Sequence, residues 1–215
     1  HVVYEAVAGG AGIVQVRDKH ADDAAFLALA RACRDAVRRA EDALGRTAAL
    51  VVNDRVGVAE RLGLHVHVGQ SDASLAVARR AVGPERMVGV SASTPEEVRA
   101  AAESGVADLV GIGPVWATPT KTDAAAPLGP EGLAALAGPA RAAGLVAVGI
   151  GGIRTDRLSL LRGAGVDGIC VVSAIAASEN PRAAARELRA AAVGEGVLAA
   201  AGSAAPSARS EGAAS

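Results

Sequence analysis

The sequence has few residues of several types, and each shortage argues against a class of function. Only three of its 215 residues are aromatic, so it offers no platform on which the bases of a single-stranded nucleic acid could stack. Its formal net charge is −1, which argues against a surface that binds polyanions. We therefore expect no nucleic acid partner.

Cysteine and long apolar runs are also scarce. Cys33 and Cys170 lie far apart and lack the spacing of metal ligands, so we expect two buried thiols in a reducing cytosol rather than a disulfide. No apolar run reaches the roughly 18 residues that a membrane helix needs, and no charged-then-apolar signal segment is present. These features predict a soluble, cytoplasmic protein with no membrane partner.

Lysine is the rarest basic residue: of 22 basic side chains only Lys19 and Lys121 are lysines, and the other twenty are arginines. A flexible ammonium group can follow charge that develops on a leaving group, which a planar guanidinium does less easily. Two lysines on loops of so arginine-rich a chain therefore suggest ligand contacts. Chance retention on solvated loops is the alternative.

Short β-branched runs alternate with Ala/Arg/Leu stretches of helical spacing, which predicts β-α-β units and a parallel sheet buried on both faces. Three helical stretches stand out, at 22–44, 94–105 and 180–192. The length suits one domain, assigned to residues 1–193, and the Ala/Ser/Gly-rich segment 194–215 is predicted to be a disordered tail. The predicted strands are 12–17, 48–53, 64–68, 87–91, 108–113, 145–152 and 168–173.

Polar or glycine residues follow nearly every predicted strand. A (β/α)₈ TIM barrel collects its ligand residues from the carboxyl ends of many strands, whereas an open doubly wound sheet concentrates them at one switch point. The even distribution favours the TIM barrel over the open α/β sheet.

Two aspartates are candidate metal ligands. "VVNDR" (51–55) and "VGQSD" (68–72) place Asp54 and Asp72 just after separate strands, and Mg²⁺ commonly takes one or two carboxylates beside substrate phosphates. The alternative is that each aspartate caps the helix that follows it. His65 and His67 are expected on opposite faces of their strand, which argues against a histidine metal pair.

Glycine-rich segments end the last two predicted strands. "GIGGI" (149–153) and "VVSA" (171–174) occupy the positions where barrels commonly bind phosphate through backbone N–H groups. The alternative is a glycine-rich turn, with Ser173 as a helix cap.

Taken together, these motifs resemble the thiamine phosphate synthase family. The resemblance covers almost the whole chain, in order, through "VQVRDK" (14–19), "HVGQSD" (67–72), "GPVWATPTKTD" (113–123) and "GVDGICVVSAI" (165–175). Asp18 stands where family members usually have Glu. Ser71 stands where an acidic residue is common. Members also open with an apolar strand, so the resemblance implies a barrel that lacks its first strand in this chain.

The resemblance implies a transferase that joins 4-amino-2-methyl-5-pyrimidinylmethyl diphosphate to 4-methyl-5-(2-phosphoethyl)thiazole, plain or carboxylated, and releases pyrophosphate with Mg²⁺ as cofactor. Lys121, Arg17 and Ser91 would act in catalysis, and Asp54 and Asp72 would bind the metal. A thiazole tautomerase and a non-catalytic phosphate-binding barrel are the alternatives, and both a monomer and a homo-oligomer are compatible with the sequence. The implied pyrimidine diphosphate ligands are Gln15, Val16, Arg17, Asp18, Lys19, Asn53, Ser91 and Lys121, and those for the thiazole phosphate are Thr118, Pro119, Thr120, Gly152, Val172 and Ser173.

Overall fold

The computed structural model describes residues 1–118 and 125–198. Three of the predicted ligand residues, Pro119, Thr120 and Lys121, lie outside the described residues, as does the predicted tail from 199 onward. In the two described ranges, no helix combines the length and apolarity that crossing a bilayer requires.

The strands form one parallel sheet whose order follows the chain. All seven predicted strands are present, most of them shorter by a residue or two at their ends. The sheet curls as an open half-barrel: β1 and β7 are its two edges, and each pairs on one side only within the described residues. The strands are β1 (Ile13–Val16), β2 (Ala49–Asn53), β3 (His65–Val68), β4 (Val88–Ala92), β5 (Leu109–Ile112), β6 (Val146–Ile150) and β7 (Gly168–Cys170).

Helices cover the outer face of the sheet, and the three predicted helical stretches are confirmed. Two of them start where expected, because Thr94 and Asn180 accept backbone hydrogen bonds as N-caps and a proline follows each. The helices are α1 (Val2–Ala8), α2 (Asp23–Leu44), α3 (Val56–Leu62), α4 (Leu75–Val82), α5 (Pro95–Glu103), α6 (Gly129–Ala142), α7 (Ser173–Ala176) and α8 (Pro181–Gly194), and a 3₁₀-helix spans Thr155–Leu161.

The two faces of the sheet differ in burial. Outward-facing side chains such as Val52, Val66, Val88 and Val110 are fully buried beneath the helices. On the inner face of the edge strand β1, by contrast, Ile13 is 46% exposed. The core therefore lies mainly between the sheet and its helices.

Because all the strands are parallel, their carboxyl ends meet at one edge of the sheet. The registers align Asn53 with His67, and His67 with Gly89, across β2, β3 and β4. The residues that follow these strands are therefore neighbours in space, and this edge carries the candidate site.

Candidate active site

Asp54 and Asp72 come together at the carboxyl edge of the sheet. Their carboxyl groups are within hydrogen-bonding reach of each other. Burial, followed by the hydrogen bond and charge of Asp72, raises the pKa of Asp54 to about 6. Two such oxygens facing each other form an unfavourable pair when both are ionised, and a bound divalent cation would relieve it.

The helix-cap interpretation of these aspartates is wrong. The N-cap of α3 is Arg55, without a side-chain cap bond, and the N-cap of α4 is Ser74, whose hydroxyl accepts from the Val77 amide. Asp72 instead accepts from Gly69 N–H at 2.7 Å. The carboxylates are held by the loops and are not used to start helices.

Asp54 has an unusual backbone conformation. Its φ is +61°, the left-handed region that few non-glycine residues adopt. Its N–H donates to the carbonyl of His67 at 2.9 Å, so the end of β2 is attached to β3. This bond holds the Asp54 backbone beside the end of β3.

Basic side chains from the loop after β1 face this acidic pair. The charges of Lys19 and Arg17 both act to lower the pKa of Asp54, against the larger effect of burial. Asp18 accepts from the amides of His20 and Ala21, which holds its pKa below the usual range. The loop therefore presents two cations to the same space as two carboxylates.

Other predicted pyrimidine-site residues lie on the strands. Gln15 and Asn53 are on β1 and β2, and Gln15 is exposed. The side chain of Val16 is buried in the core at 4% exposure, so only its backbone could face a ligand.

Ser91 is positioned by two contacts that the sequence did not indicate. Its hydroxyl lies 3.0 Å from Nε2 of His67, and its carbonyl accepts from the side-chain Nε2 of Gln70 at 2.6 Å. His67 is 9% exposed, so its hydrogen bond is sheltered from water. The expectation that His65 and His67 point to opposite faces is wrong, because residues two apart on a strand share a face.

Two glycines make room for the His67 ring. A Cβ atom at Gly89 would lie 2.6 Å from Nδ1 of His67, and one at Gly111 would lie 3.2 Å from Cε1. Both distances are shorter than ordinary contacts. The strands β4 and β5 therefore carry glycine where they pass this imidazole.

The glycine-rich loop after β6 lies against the loop after β5. Gly151 and Gly152 both have positive φ, +101° and +63°, and a Cβ on Gly152 would meet the Trp116 side chain at 2.7 Å. The Trp116 amide donates to the Gly151 carbonyl at 3.0 Å. Thr118 is the last described residue of the β5 loop before the gap.

The loop after β7 completes the described part of the site. Val172 is 50% exposed, and Ser173 is the first residue of the short helix α7. The N-cap position belongs to Val172 and has no side-chain cap bond, so Ser173 does not cap the helix. Its hydroxyl and backbone stand at the same edge of the sheet as Gly152.

Comparisons with known proteins agree on one family. The family model for thiamine monophosphate synthase matches residues 1–175. The thiamine-phosphate synthase of Chloroflexus aurantiacus is 44% identical over 190 residues, which cover 88% of this chain and 83% of that protein. A multifunctional thiamine biosynthesis protein, ThiED, of Corynebacterium efficiens is 42% identical over 197 residues; the match covers 87% of this chain and only 25% of that protein.

A solved structure supports the same conclusion. The thiamine phosphate pyrophosphorylase from Pyrococcus furiosus superposes with a TM-score of 0.76 at 32% identity, covering 90% of this chain and 89% of that one. The chain therefore belongs to the thiamine monophosphate synthase family, and its function is that of a thiamine-phosphate synthase, a transferase.

Proposed function

We propose that this chain condenses 4-amino-2-methyl-5-pyrimidinylmethyl diphosphate with 4-methyl-5-(2-phosphoethyl)thiazole to form thiamine phosphate and pyrophosphate. If the thiazole is the carboxylated form, its carboxyl group leaves as carbon dioxide. One observation carries the proposal: the Asp54–Asp72 pair faces Arg17 and Lys19 at one edge of the sheet. Carboxylates beside basic side chains suit a magnesium diphosphate. The carboxylates can bind the metal ion, and the basic side chains can bind the phosphate oxygens.

The described residues fit a magnesium ion. Asp54 and Asp72 come from separate loops and are close enough to share a hydrogen bond, and Mg²⁺ usually takes its other ligands from water and phosphate. When bound, the ion would neutralise negative charge on the departing pyrophosphate.

The other residues have mainly to bind and orient the substrates. Arg17, Lys19 and Lys121 would hold the diphosphate, and Gln15, Asn53 and Ser91 the pyrimidine. The backbone of Val16, at the end of β1, and Asp18, on the loop after β1, would also contribute. The bond from the methylene carbon to the diphosphate oxygen breaks, and pyrophosphate leaves with the electron pair. The electron-rich aminopyrimidine stabilises the resulting cation, and the thiazole nitrogen attacks it. No protein nucleophile is required, so electrostatic stabilisation and placement supply the catalysis.

The glycine-rich loop after β6 and the residues near it would hold the second substrate, the thiazole phosphate. Gly152, Val172 and Ser173 lie after β6 and β7, and Thr118, Pro119 and Thr120 follow β5 in the sequence. The close approach of backbone that Gly152 permits suits the binding of phosphate oxygens by N–H groups.

The test is the reaction itself: purified protein, both substrates and Mg²⁺, with thiamine phosphate measured by chromatography. Formation that stops with EDTA and resumes with Mg²⁺ supports the proposal. Isomerisation of the thiazole alone would indicate a thiazole tautomerase, which needs neither aspartate. Binding of the phosphates without any turnover would indicate a non-catalytic barrel.

We also propose that the open sheet is completed to a (β/α)₈ barrel by one further strand between β1 and β7. The helical layer supports this proposal, because α1 packs against both α2 and α8. Between α1 and α8, Arg182 pairs with Glu5 at 2.7 Å and lies over the ring of Tyr4. The ring of helices thus closes around a sheet with a gap, and that gap leaves Ile13 exposed.

This proposal predicts that a chain extended upstream by roughly ten to twenty residues, enough for one strand and its loop, melts at a higher temperature and is more active. Unpaired edges at β1 and β7 would otherwise favour aggregation. Thermal melting, light scattering and thiamine phosphate formation should be compared for the two proteins. Equal melting and equal activity would contradict the added strand.

A further inference from the structure

Arg157 contacts two loops of the candidate site at once. It lies in the 3₁₀-helix that follows β6, and its Nη1 donates to the carbonyl of Gly152 at 3.0 Å. Its Cζ lies 5.2 Å from the ring centroid of Trp116, on the loop after β5. One half-buried guanidinium therefore links the β5 loop to the β6 loop.

The peptide groups before and after Gly152 both accept a hydrogen bond through their carbonyl oxygens. The Gly151 carbonyl accepts from the Trp116 amide at 3.0 Å, and the Gly152 carbonyl accepts from Arg157. Gly152 has φ +63° and lies too close to Trp116 to accommodate a Cβ atom. The two peptide planes that flank Gly152 are thus fixed by contacts with the β5 loop and with Arg157.

A fixed carbonyl also fixes the N–H of the same peptide. Neither of these two peptides is cis, so each N–H points away from its carbonyl. The N–H groups concerned belong to Gly152 and Ile153, and within the described part of the chain neither donates a hydrogen bond. Two adjacent donors are therefore held in place without a protein acceptor among the described residues, and the second of them belongs to the buried Ile153.

We infer that Arg157 is a positioning residue for the thiazole phosphate. Its bond to the Gly152 carbonyl orients the Ile153 N–H, and its stacking on Trp116 holds the loop after β5 and the loop after β6 in a fixed relative position. This inference rests on the proposed function of the Gly152 loop. A guanidinium suits the task because it can stack on a ring and donate from its edge at the same time.

The test measures binding of the thiazole phosphate and of the corresponding thiazole alcohol by calorimetry. Arg157→Ala is expected to weaken phosphate binding roughly tenfold, as for one lost charge-assisted hydrogen bond, and to leave alcohol binding unchanged. Arg157→Gln keeps a donor without the charge and is expected to recover part of the loss. The matched control is Arg154→Ala. Arg154 lies three residues before Arg157 and forms an exposed ion pair with Asp156.

Two further measurements separate positioning from general effects. A loss that persists in about 1 M salt is not due to long-range charge, because exposed charges are then screened beyond about 3 Å. Trp116 is the only tryptophan in the chain, so Arg157→Ala should shift its fluorescence emission and Arg154→Ala should not.

The inference is overturned if Arg157→Ala binds the phosphate as the control does, or if it weakens phosphate and alcohol equally. It is also overturned if the glutamine variant is no better than alanine. Failure of the proposed function would look different: the wild-type protein would form no thiamine phosphate, while the selective effect of Arg157 on phosphate binding could still be measured.

Discussion

Asp54→Asn is expected to make the metal-free protein more stable while it lowers Mg²⁺-dependent turnover by about 10² or more, the scale of losing a major electrostatic contribution to the transition state. The two effects have opposite signs. The asparagine removes a negative charge that destabilises the metal-free folded state, so stability rises, and the same charge is a ligand of the metal, so turnover falls. Asparagine is the appropriate replacement, since it also adopts the left-handed conformation that Asp54 has at φ +61°.

The stability gain follows from the pKa of Asp54, which is about 6 in the folded protein and 3.8 ordinarily. The folded state therefore binds the proton more tightly than the unfolded state does, and metal-free stability should rise as the pH falls from about 7 to about 4. At pH 7.5 the asparagine variant should gain about 1 kcal/mol, allowing for solvent screening of a partly exposed group.

Urea unfolding in EDTA and turnover across a Mg²⁺ titration would measure both effects. Asp42→Asn is the control, because Asp42 is exposed near the end of α2, where the chain turns toward the start of β2. If Asp54→Asn keeps wild-type activity at limiting Mg²⁺, the aspartate pair is not a metal site.

Lys121→Ala is expected to lower kcat by about 10² or more, with a smaller effect on KM. The proposed partner of this ammonium is charge that grows on the departing pyrophosphate, and loss of one such electrostatic donor costs that much in rate. Lys121→Arg should restore activity only in part, because the guanidinium is larger and planar.

Steady-state kinetics with both substrates varied would give kcat and KM separately. Arg99→Ala serves as the control for loss of a positive charge, since Arg99 lies on the surface of α5 beside Glu103. Full activity in the Lys121→Ala protein would mean that the lysine was retained by chance.

The parts of the fold that follow from local rules were predictable. β-branched apolar runs marked all seven strands, and the capping residues Thr94 and Asn180, each followed by proline, marked two helix starts. The number of strands in the complete sheet was not predictable in the same way, because sheet closure depends on pairing between residues distant in sequence.

The site was predictable as a set of residues and not as a set of contacts. That Asp54 and Asp72 both follow strands could be read from the sequence, but their contact depends on the left-handed turn at Asp54 and its bond to His67. The contact between His67 and Ser91 was missed because the two histidines of β3 were assigned to opposite faces. Correct alternation along the strand, with glycine at 89 and 111, would have indicated an inward-facing imidazole.

The packing of α1 against α8 has a consequence for how the protein is made. Glu5 and Arg182 are 177 residues apart, so their contact closes a very long loop and can form only after every element between them has been made. Until α8 leaves the ribosome, the side of α1 that packs on α8 has no partner. A nascent chain would therefore expose this face until α8 has been made, and it is where we expect chaperones to bind.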